Sequence, residues 1–162
     1  MSMRTVDEHR TRAPADLAFQ VAANVEGWPS ILPHYRWVRF HEKRGFANGV
    51  VEMSAWRSFP LYRWPTWWVS EMEHDREARQ VRYRHVDGIT RGMNVLWEVM
   101  DEPGGGSLLR IIHEWEGPRW PLIRGIAANV VIGPVFVSHI AGRTLAGVVE
   151  EAERRMQAGE AT

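Results

Sequence analysis

Thr5 to Thr11 mixes apolar and polar side chains without helical spacing, which predicts an opening strand. Pro14 then stands where the first turn of a helix tolerates proline, Asp16 suits the positive end of the helix dipole, and Leu17, Ala18, Val21, Ala22 and Val25 recur at helical spacing. A short helix ending near Gly27 is expected. Trp28-Pro29 and Leu32-Pro33 bracket one or two turns of a second short helix, since neither proline fits inside a longer one.

From Tyr35 to Trp115 the pattern changes to segments of about ten residues separated by turn signals, the mark of an antiparallel meander. Strands are predicted at 35–44, 49–57, 62–74, 79–87, 92–102 and 107–116. The separators are Gly45 with Asn48-Gly49, Phe59-Pro60, Asp75 to Ala78, Asp87-Gly88, and Pro103 to Gly106. After Gly117-Pro118 and Trp120-Pro121 the apolar residues return to helical spacing, through Ile123, Ile126, Val130, Val137, Ile140, Leu145, Val148, Val149 and Met156. Glu150, Glu151, Glu153, Arg154 and Arg155 load the other face, as on a helix lying against a sheet, and Gly133-Pro134 should kink or interrupt it.

The order strand, two small helices, six strands and long helix implies an α+β fold, read as one domain over residues 1–162, whose seven-stranded sheet curls around the C-terminal helix. A curved sheet capped by one helix encloses a cavity, the natural place for a ligand.

Composition narrows what that ligand can be. With 20 basic and 20 acidic side chains the net charge is zero, so there is no cationic surplus to hold nucleic acid. The chain has no cysteine, which removes disulfides, thiolate chemistry and sulfur-ligated zinc. Its start is charged rather than signal-like and no stretch is long and apolar enough to span a membrane, so a cytoplasmic location is expected. No GxSxG, GxxxxGK[ST] or GxGxxG motif occurs, and Gly104-Gly105-Gly106 reads as a hairpin loop. No two histidines have metal-ligand spacing with a carboxylate; neither a metal nor another cofactor is expected. The unusual count is nine tryptophans.

Strand parity places several of them. Trp68, Ser70 and Met72 alternate with Glu71 and Glu73 and therefore point inward, as do Tyr83 and His85 against Arg82 and Arg84. Met93, Val95, Trp97 and Val99 form the inward set of the next strand, and Leu109, Ile111, His113 and Trp115 that of the last. Two readings compete: packed core residues of a Trp-rich domain, or aromatic walls with a few hydroxyl and imidazole groups suited to a flat, partly polar ring system or polyketone. In an apolar pocket the pKa of His113 should fall, leaving a neutral imidazole for proton transfer; a hydrogen-bonded core histidine is the other reading. His34, His41, His74 and His139 are weaker candidates, and Arg143 is expected to pair with a surface carboxylate.

With Ala13-Pro14, the Trp28-Pro29 to Tyr35 stretch, Trp68-Val69-Ser70, Met93-Asn94 with Trp97 and the long closing helix in this order, the chain resembles the START-like helix-grip superfamily, and within it the bacterial polyketide aromatase/cyclases. The resemblance runs over nearly the whole chain. It implies a pocket that receives a poly-β-ketone tethered to an acyl carrier protein and promotes a regiospecific aldol closure and dehydration. It also implies that Trp28, Tyr35, Trp68 and Ser70 shape or act in that pocket, and that His113 falls where relatives carry histidine or glutamine. The family's pocket arginine is replaced here by Met72, with Arg57 on the neighbouring strand as a possible substitute if it shares the face of Met53 and Ala55.

The enzyme reading assigns Tyr35 and Ser70 as donors to a carbonyl, His113 as proton shuttle and Trp28, Trp68 and Trp97 as walls. Arg57, Met72, Tyr83, His85, Met93 and Trp115 complete its candidate binding set. The alternative reading is a non-catalytic carrier or sensor of a quinone, lipid or polyketide, which Met72 in place of arginine favours. An exposed indole such as Trp67 or Trp120 would mark a homodimer surface.

Overall fold

The computed structural model describes residues 2–58, 61–116 and 134–160, with 134–136 as backbone. The chain runs through β1 (Met3–Thr11), α1 (Ala15–Ala23), a 3-10 turn (Val25–Gly27), α2 (Trp28–Ile31) and β2 (Tyr35–Arg44). It continues through β3 (Asn48–Ser58), β4 (Arg63–Asp75), β5 (Gln80–Gly88), β6 (Asn94–Asp101), β7 (Ser107–Trp115) and a closing helix, here α3 (Pro134–Gln157). The strands form one seven-stranded sheet, ordered β1-β7-β6-β5-β4-β3-β2, with every neighbouring pair antiparallel. The return of β7 to β1 brings the two ends of the chain together, and α3 packs chiefly on β1 and α1.

All seven expected strands are present, with ends displaced by no more than two residues. The first helix stops earlier than expected. At Asn24 ψ turns to 67°, so the segment to Gly27 tightens into the 3-10 turn, and Pro29 sits in the first turn of α2. The described part of the closing helix begins at Pro134. The calls on Phe59-Pro60 and on 117–133, including Trp120 and the upstream half of the helix, lie outside the described residues.

Burial follows strand parity. Thr66, Trp68, Ser70 and Met72 are buried on β4 while Trp67, Glu71 and Glu73 are exposed. On α3 the stripe Val137, Ala141, Thr144, Leu145, Val148 and Ala152 is buried, and Glu150 and Arg154 face solvent. No helix among the described residues is long and apolar enough to cross a membrane.

A cavity of two imidazoles and two phenols

Between the sheet and α3 lies a cavity of about 80 Å³. Its first wall is aromatic. Trp28 donates its indole N–H to the Val21 carbonyl at 3.3 Å, which fixes the ring at the start of α2. Tyr35 stands edge-on to it at 5.2 Å, Trp97 lies 5.6 Å away, and Trp68 meets Tyr35 edge-on at 6.2 Å.

The second wall comes from β5, β7 and the turn after β5. His85 stacks on Trp68 with centroids 5.9 Å apart and planes 12° from parallel. The backbone of His85 bonds to Gly92 and Met93, folding residues 89–93 back so that Ile89, Thr90 and Met93 face the cavity. Thr90 Oγ1 then lies 2.5 Å from His85 Nδ1, leaving Nε2 as the ring's remaining proton-transfer atom. His113 enters from β7, its Nδ1 3.4 Å from Thr5 Oγ1. Both rings are neutral at physiological pH. Burial pulls His85 down to about 3, helped by the nearby His113, and pulls His113 down to about 4 although part of that residue's surface stays exposed.

The two phenols differ. Thr144 donates its hydroxyl proton to the Ile140 carbonyl at 2.9 Å, so it can only accept from its other partners. One of those is His34 Nε2, at 2.9 Å. His34 therefore carries its proton on Nε2, in keeping with a pKa lowered to about 4 by burial and by the charges of Arg143 and His139. The hydroxyl of Tyr35 interacts with Thr144. Tyr83 does not: its buried hydroxyl has no hydrogen-bond partner among the described residues, although its ring lines the cavity. Burial, reinforced by the neighbouring Tyr35, raises its pKa and keeps it a neutral donor.

Of the predicted site residues, Trp28, Tyr35, Trp68, Tyr83, His85, Met93, Trp97 and His113 line this cavity. Ser70, Met72, Trp115 and Arg57 do not. Ser70 is buried between Val51 and His85 in the strand ladders, its Oγ without a partner, and Met72 is buried between Gly49 and Tyr83. Trp115 turns its indole N–H to the Arg91 carbonyl at 3.0 Å. Arg57 is half-buried near the end of β3, on the parity of Met53 and Ala55 but outside the cavity. No charged side chain among the described residues lines the cavity. Met53, Thr66, Ile89, Thr90, Val137, Ile140, Ala141 and Thr144 also line it. Thr144 was legible as a hydroxyl on the apolar stripe of the last helix; Thr90 sits in a turn that strand parity does not reach.

The other histidines stand apart. His34 is buried behind Thr144, His41 pairs with Glu52 at 2.7 Å, His74 bonds to Asn48, and His139 is exposed. Arg143 is exposed and has no carboxylate in ion-pair reach among the described residues, contrary to expectation; Ser138 beside it donates to Asp7 at 3.2 Å. No cluster of metal-ligating side chains occurs among the described residues.

Residues 11–135 match the model of the family described as polyketide cyclase / dehydrase and lipid transport. A Streptomyces cyaneus protein provisionally named a polyketide cyclase is 32% identical over 107 residues, covering 65% of this chain and 68% of that protein. Among solved structures, the Zhui aromatase/cyclase of Streptomyces sp. R1128 superposes with a TM-score of 0.79 at 21% identity, covering 100% of both chains. A START superfamily protein of Mycobacterium smegmatis gives 0.67 at 14% identity over 96% of this chain and 97% of that one. At such identities the structures show the fold, which is the START-like helix grip.

Proposed function

The chain belongs to the polyketide cyclase / dehydrase and lipid transport family, and from that premise we propose that its cavity promotes intramolecular aldol closure and dehydration of a poly-β-ketone. The observation that carries the proposal is the unpartnered, buried hydroxyl of Tyr83 in the same cavity as two neutral imidazoles. A buried donor without an acceptor costs about 1–3 kcal/mol, and a ligand carbonyl would supply the missing partner.

In this reading Tyr83 takes the donor role that sequence reasoning gave to Tyr35 and Ser70. Its O–H hydrogen-bonds to one carbonyl oxygen and stabilises the charge that develops there. His113 accepts a proton from a methylene flanked by two carbonyls, a carbon acidic enough for a weak base at close range. The resulting enol carbon bonds to the carbonyl carbon held by Tyr83. The imidazolium returns its proton to the alkoxide that closure creates, and His113 then takes the second proton of the former methylene and passes it to the hydroxyl, which leaves as water as the ring's double bond forms. Trp28, Trp68 and Trp97 act as walls that select the folded chain in which those two carbons meet. No redox or metal step is needed for the balance.

One feature of the lining favours a second reading, the binding of a neutral hydrophobic ligand without turnover: it has no charged side chain among the described residues. Outside the lining, the buried Met72 stands where the family resemblance implies an arginine. Both readings require the cavity to open. Its volume of about 80 Å³ is below the ~150 Å³ of an engineered cavity that admits benzene, so lining side chains must swing aside for a ring-sized ligand.

The deciding experiment incubates a carrier-bound poly-β-ketone with and without the protein and compares ring products. A single regiochemistry enriched over spontaneous closure is the expected result. Identical product distributions, with saturable quenching of tryptophan fluorescence by the same compound, would leave ligand binding as the function.

A further inference from the structure

Trp37, Trp56, Trp64 and Trp67, on β2 to β4, take no part in the cavity. Three of them share the outer face of the sheet. Trp37 and Trp67 each pair with Ser54, so one row across β2, β3 and β4 reads indole, buried hydroxyl, indole, with Trp56 diagonal to Trp67. Trp64 lies at the β3–β4 tip and is 60% exposed, beside Leu61 at 95%.

Arginines cover these rings. The Arg36 guanidinium lies 4.5 Å from the centroid of Trp37 and 4.6 Å from that of Trp56, Arg39 lies 5.0 Å from Trp37, and Arg63 lies 5.1 Å from Trp56. None of the three has a carboxylate in ion-pair reach among the described residues. Arg36, Arg39, Arg57 and Arg63 all lie in the segments 35–41 and 53–70, and the carboxylate facing them across β2 and β3, Glu52 opposite Arg39, is bonded to His41 at 2.7 Å. The indole N–H of Trp37, beneath Arg36 and Arg39, is buried without an acceptor, and an anion held by those guanidiniums would supply one.

We infer that the outer face of β2 to β4 and the β3–β4 tip dock on an anionic lipid bilayer. Tryptophan and tyrosine have the apolar body and polar edge that settle at the headgroup level, and arginine pairs with phosphate through its planar fork. The tip favours a bilayer over an acidic protein. A projecting side chain such as Leu61 needs a matching pocket on a folded partner, whereas a fluid layer accepts it in any orientation. The inference is independent of the cyclase reading, since it uses no cavity residue.

Cosedimentation with phosphatidylcholine vesicles, with and without phosphatidylglycerol, tests it. Binding should require the anionic lipid and weaken as salt is raised. Arg36→Gln, Arg39→Gln and Arg63→Gln should each lower the partition coefficient about five-fold, the equivalent of one surface cation. Bromine-labelled acyl chains should quench the fluorescence of the unaltered protein, and Trp64→Phe with Trp67→Phe should remove most of that quenching. The inference is overturned by the absence of binding to anionic vesicles, or by binding that ignores the glutamine changes. Retention on polyglutamate without lipid binding, or a patch-dependent dimer that does not bind vesicles, would also overturn it in favour of a protein partner.

Discussion

His34 Nε2 and Thr144 Oγ1 lie 2.9 Å apart, joining the loop before β2 to the closing helix in the buried interior. The hydroxyl accepts from His34 and donates to Ile140. Thr144→Val preserves shape and removes this link, leaving the buried His34 N–H without its acceptor. Urea denaturation should show a loss of about 1–3 kcal/mol for the orphaned donor. A fully stable variant would mean that the loop and α3 are held by packing alone.

Tyr83→Phe makes the opposite stability prediction. Deleting a hydroxyl that has no partner should leave the melting temperature unchanged or slightly raised. Ring closure, under the cyclase reading, should slow by about 10² or more, the usual loss for one donor to a developing oxyanion.

Stability should fall with acid in a window set by the buried histidines. His34, His85 and His113 have folded pKa values of about 4, 3 and 4 against an ordinary 6.5, so the unfolded chain binds more protons between pH 6.5 and about 4. Their contribution is complete above pH 6.5 and is lost as pH falls through that interval, each by up to about 1.4 kcal/mol per pH unit. Urea midpoints measured across this range should slope upward with pH, and His85→Gln should flatten the slope. The carboxylates with lowered pKa, Glu151 among them at about 2, act below this window. A slope unaffected by His85→Gln would show that its ring is not held neutral by the fold.

Gly88 sets the position of Trp68. It pairs with Trp68 across the β4–β5 irregularity at Val69 and Ser70, with φ at +92°. A Cβ there would stand 2.4 Å from the Trp67 carbonyl oxygen and 2.6 Å from Trp68 Cα, both backbone atoms. Gly88→Ala should therefore cost more than about 2 kcal/mol and displace the indole that stacks on His85. Circular dichroism in the aromatic region and a thermal melt would register both effects.

Much of the fold was legible because its signals are local. Period-two alternation and turn residues between segments mark each strand, and a proline with a helix-period stripe marks each helix. Parity also divides inward from outward, as Trp68 against Trp67 and His113 against Glu114 illustrate. Parity says nothing about depth along a face. Ser70 and Met72 point inward as correctly as Trp68, yet they pack between neighbouring strands while the cavity opens elsewhere, and Trp115 turns to the Arg91 carbonyl.

The sequence by itself determined a seven-stranded sheet closed by a helix, with an aromatic interior poor in charge, because alternation, helical spacing and composition are properties of neighbours along the chain. Only the tertiary structure decided which hydroxyl meets another polar group and which does not. Tyr35 and Tyr83 are both buried tyrosines facing one cavity, and no local pattern separates them. Thr144, more than a hundred residues beyond Tyr35, comes to the hydroxyl of one phenol, and the fold brings no hydrogen-bond partner among the described residues to the other.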